Sequence, residues 1–321
     1  MLIGNVFIDG RSAALAPMAG VAGHAFRKVC KEFGAAYLVG EMASAKGLVM
    51  SGRKTAELLS ITEEERPMAV QIFGDEPETV AEAARICMRY CPDIIDINMG
   101  CPAHKVAGNG GGSALLKNPA LAGRIVRAAA KAVPLPITAK IRIGWDNDNI
   151  NAAEVAKVLE ANGAAAIAVH GRTRAQMYAP PVNIRAISDV KKAVKIPVIA
   201  NGDITDRLSA RKMLDETGAD LLMVGRGACG RPWVFAEIRA FLEGREFEGI
   251  SLEGKFEVML RHIRLLCEDM GEAHGMREAR KHAAWYMRGL RGAAAYRQKI
   301  AQLTEFCQLE EIAQEILAVN I

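Results

Sequence analysis

Several common signatures of function are missing from this sequence. It contains no CxxC and no HxxxH pair, the spacings that put metal ligands on one turn or one helix face, and no metal site is expected. Cys87 and Cys91 stand four apart, a spacing that suits a buried helix face better than a ligand pair. Seven cysteines is an odd number and their spacing builds no disulfide framework, so the thiols are expected to be reduced. No apolar run approaches the roughly 18–20 residues that span a bilayer. The opening MLIGNVFIDGRSA lacks the basic-then-apolar pattern of a secretory leader, which makes a cytoplasmic location without membrane attachment the expectation. Neither sign of charge dominates: the net charge is +4, too slight to diagnose a nucleic-acid binder by itself. Nothing points to an obligate protein partner.

What is present is a regular alternation. Short apolar, β-branched runs recur as AALAPM near Ala14, AYLVGEM near Leu38, MAVQIFG near Val70, DIIDINMG near Ile95, ITAKIRIG near Lys140, AAIAVHG near Val169, PVIANGD near Ile199 and LLMVGRG near Met223. Between them lie stretches such as PETVAEAARICMRY and NAAEVAKVLEANG, with apolar residues at three-and-four spacing and with Gly163 and Gly218 as helix stops. Strand alternating with helix implies parallel βαβ units, and eight of them predict an α/β (β/α)8 TIM barrel over residues 1–242. A doubly wound sheet would show GxGxxG after the first strand, where this chain has LAPMAGVAG.

The β texture stops after Leu242. EGREFEGISLEG is polar and glycine-rich and reads as a linker over 243–254. Residues 255–321 carry helical periodicity and predict a small all-α bundle of about four helices. Its charge is uneven. Arg277, Arg280, Lys281, Arg288, Arg291, Arg297 and Lys299 cluster against the single acid Glu278, and an acidic segment follows. A basic patch of this kind suits a polyanion, although a solvated helix face would look the same.

Barrel enzymes place their chemistry at the carboxyl ends of the strands. Those ends here hold Pro17 and Met18, Glu41, Gln71, Asn98 with Cys101, Lys140 with Arg142, His170 with Arg172, Asn201 to Asp203, and Gly225 with Arg226. The last two turns read NGD and GRG. Loops after strands seven and eight often bind phosphate through backbone N–H groups, and Arg226 adds a fork of donors. A phosphorylated cofactor or substrate is the natural inference.

The segments APMAG, VQIFG, DINMGCPAHKV, AKIRIGW, VHGRTRAQMY, IANGDI and VGRGACGRPW, in this order and spacing, resemble the bacterial tRNA-dihydrouridine synthases, with the B-type subfamily the nearest match. RKHAAWY near Trp285 resembles the helical domain of the same family. The resemblance covers nearly the whole chain, and its most specific part is NMGCP with KV and glycines behind it. It implies an FMN-dependent reduction of the C5–C6 bond of uridine in tRNA, with NADPH as reductant. It further implies that flavin contacts Pro17, Met18, Ala19, Gln71, Lys140 and His170, and that the flavin phosphate sits on Asn201, Gly202, Asp203, Gly225 and Arg226. Asn98 would touch the uracil edge with Arg172 and Tyr178 nearby, and the helical domain would hold the tRNA.

Residue chemistry agrees with these implications. Hydride addition at C6 leaves charge toward C5 and O4 that needs a proton from the other face. A free thiol, of pKa about 8.5, is mostly protonated near neutrality and can supply it, which makes Cys101 the candidate general acid. A base inside folded tRNA must be flipped out to reach such a site. Phosphate contacts from Arg277, Arg280, Lys281 and Arg288 would position the RNA without reading sequence. Trp285 and Tyr286 fit either a stacking role or the core of the helical domain.

One stretch departs from the family pattern. After HGRTRAQMY, where a glycine-containing turn is usual, this chain has APPVNI from Ala179 to Ile184, beside the expected substrate pocket. The glycines of GNGGG resemble neither a Walker loop, since no GK[ST] follows, nor a dinucleotide turn, and are expected to serve a mobile loop over 102–112. Two other readings compete: a flavin barrel acting on a free pyrimidine, of the dihydroorotate dehydrogenase type, and a non-catalytic RNA-binding protein. The first explains the phosphate site and the cysteine but not the basic bundle.

Overall fold

A computed structural model describes residues 1–50, 52 and 57–320. Ile321, the last residue of the expected helical domain, lies outside them. The chain opens with a two-residue antiparallel pair, β1 (Leu2–Ile3) and β2 (Val6–Phe7). Eight parallel strands then close into a barrel: β3 (Ala13–Leu15), β4 (Tyr37–Ser44), β5 (Met68–Phe73), β6 (Ile94–Met99), β7 (Ile137–Arg142), β8 (Ala166–His170), β9 (Val198–Asn201) and β10 (Leu221–Val224). Around the ring their order is sequential, with β10 closing onto β3 through Leu222 beside Ala13 and Val224 beside Leu15. Every one of the eight predicted apolar runs is a barrel strand.

Period-two alternation divides each strand between two cores. Ala13, Leu15, Met68, Val70, Ile95 and Ile97 point outward into the layer that the surrounding helices cover. Ala14, Ala69, Ile94, Ala166, Ala168 and Ile199 point inward. Small inward residues leave little room, and Ile3 and Ile8 of the opening hairpin pack into the same cluster, fully buried. Gly163 and Gly218 end helices in the left-handed region, as their positions predict.

The C-terminal quarter is helical throughout: Leu252–Met270, Glu272–Tyr286, Ala293–Ile300 and Phe306–Asn320. The first of these helices begins inside the stretch expected to be linker. Ser251 caps it by accepting the Gly254 N–H at 3.1 Å, so SLEG reads as a helix start despite its glycine. The helices pack on the barrel through the His24–Glu32 helix. His24 Nδ1 lies 2.9 Å from Asp269, Arg261 Nε donates to Glu32 at 3.0 Å, and Ala25 and Trp233 join the helical core. Among the described residues no helix is long and apolar enough to cross a membrane.

Candidate active site

The alternation that fills the barrel also selects what faces its mouth. Continuing the inward parity, β5 presents Gln71, β6 presents Asp96 and Asn98, β7 presents Thr138, Lys140 and Arg142, β8 ends on His170 and β9 on Asn201. Above them opens a cavity of about 760 Å³ lined by Gln71, Asn98, Cys101, Lys140, Arg142, His170 and Asn201 together with Pro17, Met18 and Ala19 from the loop after β3. That volume is typical of a site for a small molecule or cofactor.

One wall is a relay of amides rooted in a buried carboxylate. Asp96 accepts from Thr138 Oγ1 at 2.5 Å and from Gln71 Nε2 at 2.6 Å. Burial raises its pKa against the lowering effect of those two donors. With its amide nitrogen committed to Asp96, Gln71 turns its oxygen to Asn98, whose Nδ2 donates at 2.9 Å. Asn98 Oδ1 in turn accepts the N–H of Gly100 at 3.1 Å and of Cys101 at 2.8 Å. The chain therefore fixes the backbone of Cys101 and leaves Asn98 one amide hydrogen for a ligand. From the other side, Ser113 donates both N–H and Oγ to the Cys101 carbonyl, at 3.1 and 2.9 Å.

That return explains part of the glycine run. Gly112 is buried with φ +55°, and a Cβ there would stand 2.9 Å from the Cys101 carbonyl oxygen. The loop expected to be mobile contains a helical turn, His104–Ala107, and runs into a 3-10 stretch, Gly112–Lys117, whose Ser113 binds back onto Cys101.

The adjoining wall, which begins at Lys140 directly beside Asn98 on the neighbouring strand, is cationic. Lys140 Nζ donates to Asn201 Oδ1 at 3.1 Å, and Asn201 Nδ2 donates to the Met223 carbonyl at 2.8 Å. Burial, helped by the charge of Arg142, lowers the Lys140 pKa to about 8. His170 is pushed down to about 2 by burial and then by Lys140, Arg142, Arg172 and Arg226, so it remains neutral at physiological pH. Arg142 falls only to about 10, chiefly through burial, and stays charged. Its guanidinium joins two rim loops, donating to Gly100 at 2.9 Å and to Thr173 and Met177 carbonyls at 2.9 and 2.8 Å.

The donor chemistry fits a phosphorylated cofactor such as FMN. Gly202, Asp203, Gly225 and Arg226 all line the cavity, and the N–H groups of Gly202, Asp203 and Arg226 meet no protein acceptor among the described residues. Such amides with an adjacent guanidinium form an anion cradle. Asp203 sits in the left-handed region at φ 50° and holds both Arg172, at 2.5 Å, and Arg226, at 3.4 Å.

All of the residues expected to meet flavin line this one cavity, as do Cys101, Asn98 and Tyr178. Arg172 does not. It is 1% exposed and lies beneath the rim, donating to the Ala179 carbonyl at 2.7 Å and to Asp203, so it holds the APPVNI loop rather than facing the cavity. Tyr178, 52% exposed, is flanked by Arg226 at 4.7 Å and Arg142 at 5.8 Å from its ring centroid. Arg142 was a strand-end candidate without an assigned role, and its place between the Cys101 and Tyr178 loops supplies one.

The helical region reaches the same cavity through Trp285 and Arg288. Tyr286 is core, fully buried against Trp233 and His262, whereas its neighbour Trp285 is at the mouth. Trp285 is brought there by Gly230 of the barrel, which lies so close that a Cβ would be 2.4 Å from the Trp285 backbone carbon. Lys281 pairs with Glu278 and approaches the Ala19–Gly20 loop, its Nζ 3.8 Å from where a Gly20 Cβ would stand. Arg280 is turned inward, with Nε and Nη2 both on the Leu303 carbonyl, at 2.9 and 2.7 Å. Arg277 makes no side-chain hydrogen bond among the described residues and does not line the cavity.

A parallel eight-stranded barrel with a thiol, an amide relay and unpaired backbone amides beside a guanidinium at its carboxyl rim suits a flavin-dependent oxidoreductase. The dihydrouridine synthase family model matches residues 14–320, and the chain belongs to that family. It is 44% identical over 292 residues to tRNA-dihydrouridine synthase B of Pseudomonas aeruginosa, covering 91% of this chain and 88% of the relative. It is 42% identical over 297 residues to a probable tRNA-dihydrouridine synthase of Rickettsia bellii, covering 92% and 91%. Solved structures share the barrel at low identity. Histamine dehydrogenase from a Rhizobium species superposes with TM-score 0.59 at 13% identity over 83% of this chain, which spans only 50% of that protein. Morphinone reductase superposes with TM-score 0.53 at 14% identity, over 79% of this chain and 92% of the other.

Proposed function

We propose that this tRNA-dihydrouridine synthase takes a uridine base extruded from tRNA into the cavity and saturates its C5–C6 bond, with Cys101 as the proton donor. The supporting observation is the amide relay, which fixes Cys101 beside Asn98 in the cavity that Lys140, next to Asn98 on the adjacent strand, and His170 also line. FMN, when bound, supplies the hydride to C6 and takes its own reducing equivalents from NADPH. Pro17, Met18, Ala19, Gln71, Lys140 and His170 would hold its ring, and Asn201, Gly202, Asp203, Gly225 and Arg226 its phosphate.

The protein's own groups do the rest. Asn98 offers its free amide hydrogen to a uracil carbonyl, and the orientation of that amide is set two residues away by Asp96. Cys101 carries a proton at Sγ and releases it to C5 as negative charge gathers there. Neutral His170 offers a hydrogen bond without adding a fourth charge to the cationic wall. Trp285 and Arg288 stand where the RNA strand would leave the cavity.

The free-pyrimidine reading leaves Trp285, Arg288 and the basic helices without a task. The test is to reduce the flavin anaerobically and add tRNA or free uracil. Reoxidation by tRNA alone, with dihydrouridine appearing in the RNA, is the expected result. Reoxidation by free uracil at the same rate, or protein that takes up no FMN, overturns the proposal.

A further inference from the structure

A second cationic feature stands on the rim, outside the cavity and away from the helical region. Trp145, in the loop after β7, carries a cation against its ring from each neighbouring loop. Lys117 Nζ, from the loop after β6, is 3.5 Å from a ring centroid of the indole, and Arg174 Cζ, from the loop after β8, is 4.6 Å away. The arrangement is built by the backbone. Arg174 N donates to the Gly144 carbonyl at 2.9 Å, Ala175 N to the Trp145 carbonyl at 2.9 Å, and Trp145 N closes its own loop on Asn149 at 3.2 Å.

Three facts separate this cluster from an ordinary structural cation–π contact. Two positive charges share one ring, and the ring's quadrupole offsets only part of their mutual repulsion. Neither Lys117 nor Arg174 forms an ion pair among the described residues. The nearest acid in sequence, Asp146, is engaged in its own turn, accepting Asn149 Nδ2 at 2.6 Å and the Asp148 N–H at 3.1 Å. Finally, Arg174 Nε is shielded from solvent and has no hydrogen-bond partner. The two terminal nitrogens of Arg174 also make no hydrogen bond among the described residues, and they are not shielded, so they are the donors that an anion can reach.

Position identifies the anion. Around the closed ring, β6, β7 and β8 lie diametrically across from β10, β3 and β4. The helical region docks on that second group, through Gly230 after β10 and the His24–Glu32 helix between β3 and β4. The cavity mouth lies between the two. We propose that Lys117 and Arg174, held by Trp145, form a phosphate clamp for the tRNA backbone on the barrel's own side of the mouth, opposite the helical region. A nucleotide drawn into the cavity would then have backbone held on both sides of it, which opposes its return to the stack. This rests on the tRNA reading given above.

The test uses the flavin-loaded protein and purified substrate tRNA, with Kd measured over a series of KCl concentrations. Lys117→Gln and Arg174→Gln are each expected to raise Kd several-fold. Each should also reduce the slope of log K against log salt by about 0.7–0.9, the value for one lost phosphate contact. Lys117→Arg should keep the wild-type slope. Flavin content and the rate of flavin reduction by NADPH should not change. An unchanged slope in both glutamine variants overturns the clamp. So does a raised KM for NADPH with tRNA affinity intact, which would assign the site to the reductant's phosphates. Arg288→Gln, on the opposite side, keeps the two levels of inference apart. If it weakens tRNA binding while the clamp variants do not, only the clamp fails; if wild-type protein binds no tRNA, the reading beneath it fails.

Discussion

Replacing Gly230 by alanine tests how the helical region is joined to the site. Gly230 has φ +69°, and an added Cβ would stand 2.4 Å from Trp285 C, 2.6 Å from its carbonyl oxygen and 2.7 Å from Tyr286 N. The left-handed conformation alone costs an alanine about 1–2 kcal/mol. Because every colliding atom is backbone, no rotamer change relieves the contact, and the helix Glu272–Tyr286 must move by about 1 Å. Overpacking of that size costs about 1–3 kcal/mol more. The total, about 2–5 kcal/mol, corresponds to a fall in Tm of about 4–15 °C at roughly 2–3 °C per kcal/mol for a chain of this size. Displacing Trp285 and Arg288 by about 1 Å should slow tRNA-dependent flavin reoxidation by up to about 10²-fold. FMN content should hold, because its expected contacts belong to the barrel. Gly218→Ala is the internal control: φ is +66° but nothing lies within 4 Å of the added carbon, so only the backbone term applies. If Gly230→Ala melts with Gly218→Ala and turns over tRNA at the wild-type rate, the helical region does not set the mouth of the site.

Three further outcomes are expected. Cys101→Ala should retain FMN and tRNA and lose most dihydrouridine formation, measured by single-turnover reoxidation; wild-type turnover would remove the thiol from the reaction. Lys140 is charged below its pKa of about 8, and the charged form is the stronger donor to the flavin ring it would hold, so FMN should bind fully below pH 8 and progressively more weakly as pH rises above it. Equilibrium dialysis at pH 7 and pH 9.5 checks the sign, and equal affinity would separate Lys140 from the cofactor. Arg280→Gln should lower stability by about 1–3 kcal/mol, by freeing the Leu303 carbonyl, while leaving the salt dependence of tRNA binding nearly unchanged. A changed slope with unchanged Tm would return Arg280 to the RNA surface.

What was legible in the sequence is what depends on local period. The apolar runs of DIIDINMG and ITAKIRIG mark Asn98 and Lys140 as strand-end residues, and eight such runs in alternation with helices imply a barrel whose carboxyl rim gathers them. What was not legible depends on carbonyl acceptors and on docking. Arg172 and Arg280 look like free cations in one dimension, but each is turned onto main-chain oxygen, which every residue carries and no sequence pattern marks. Trp285 and Tyr286 are neighbours on one helix with opposite fates, since only the seating against Gly230 decides which meets the mouth. The helix start at Ser251 was obscured by Gly254, whose N–H is the group that the serine caps.

The hairpin that opens the chain bears on the order of events in catalysis. Ile3 and Ile8 pack into the inward-facing cluster of the barrel, and every residue proposed for chemistry lines the cavity at the carboxyl end of the strands. A nicotinamide dinucleotide and an extruded uridine, as proposed above, would each have to enter this cavity of about 760 Å³ to address the same ring. If the proposed reductant and the RNA both address this cavity, the two are expected to take turns, the reductant leaving before the RNA enters. Initial rates at several fixed tRNA concentrations should then give parallel double-reciprocal lines, with each ligand competing against the other at high concentration.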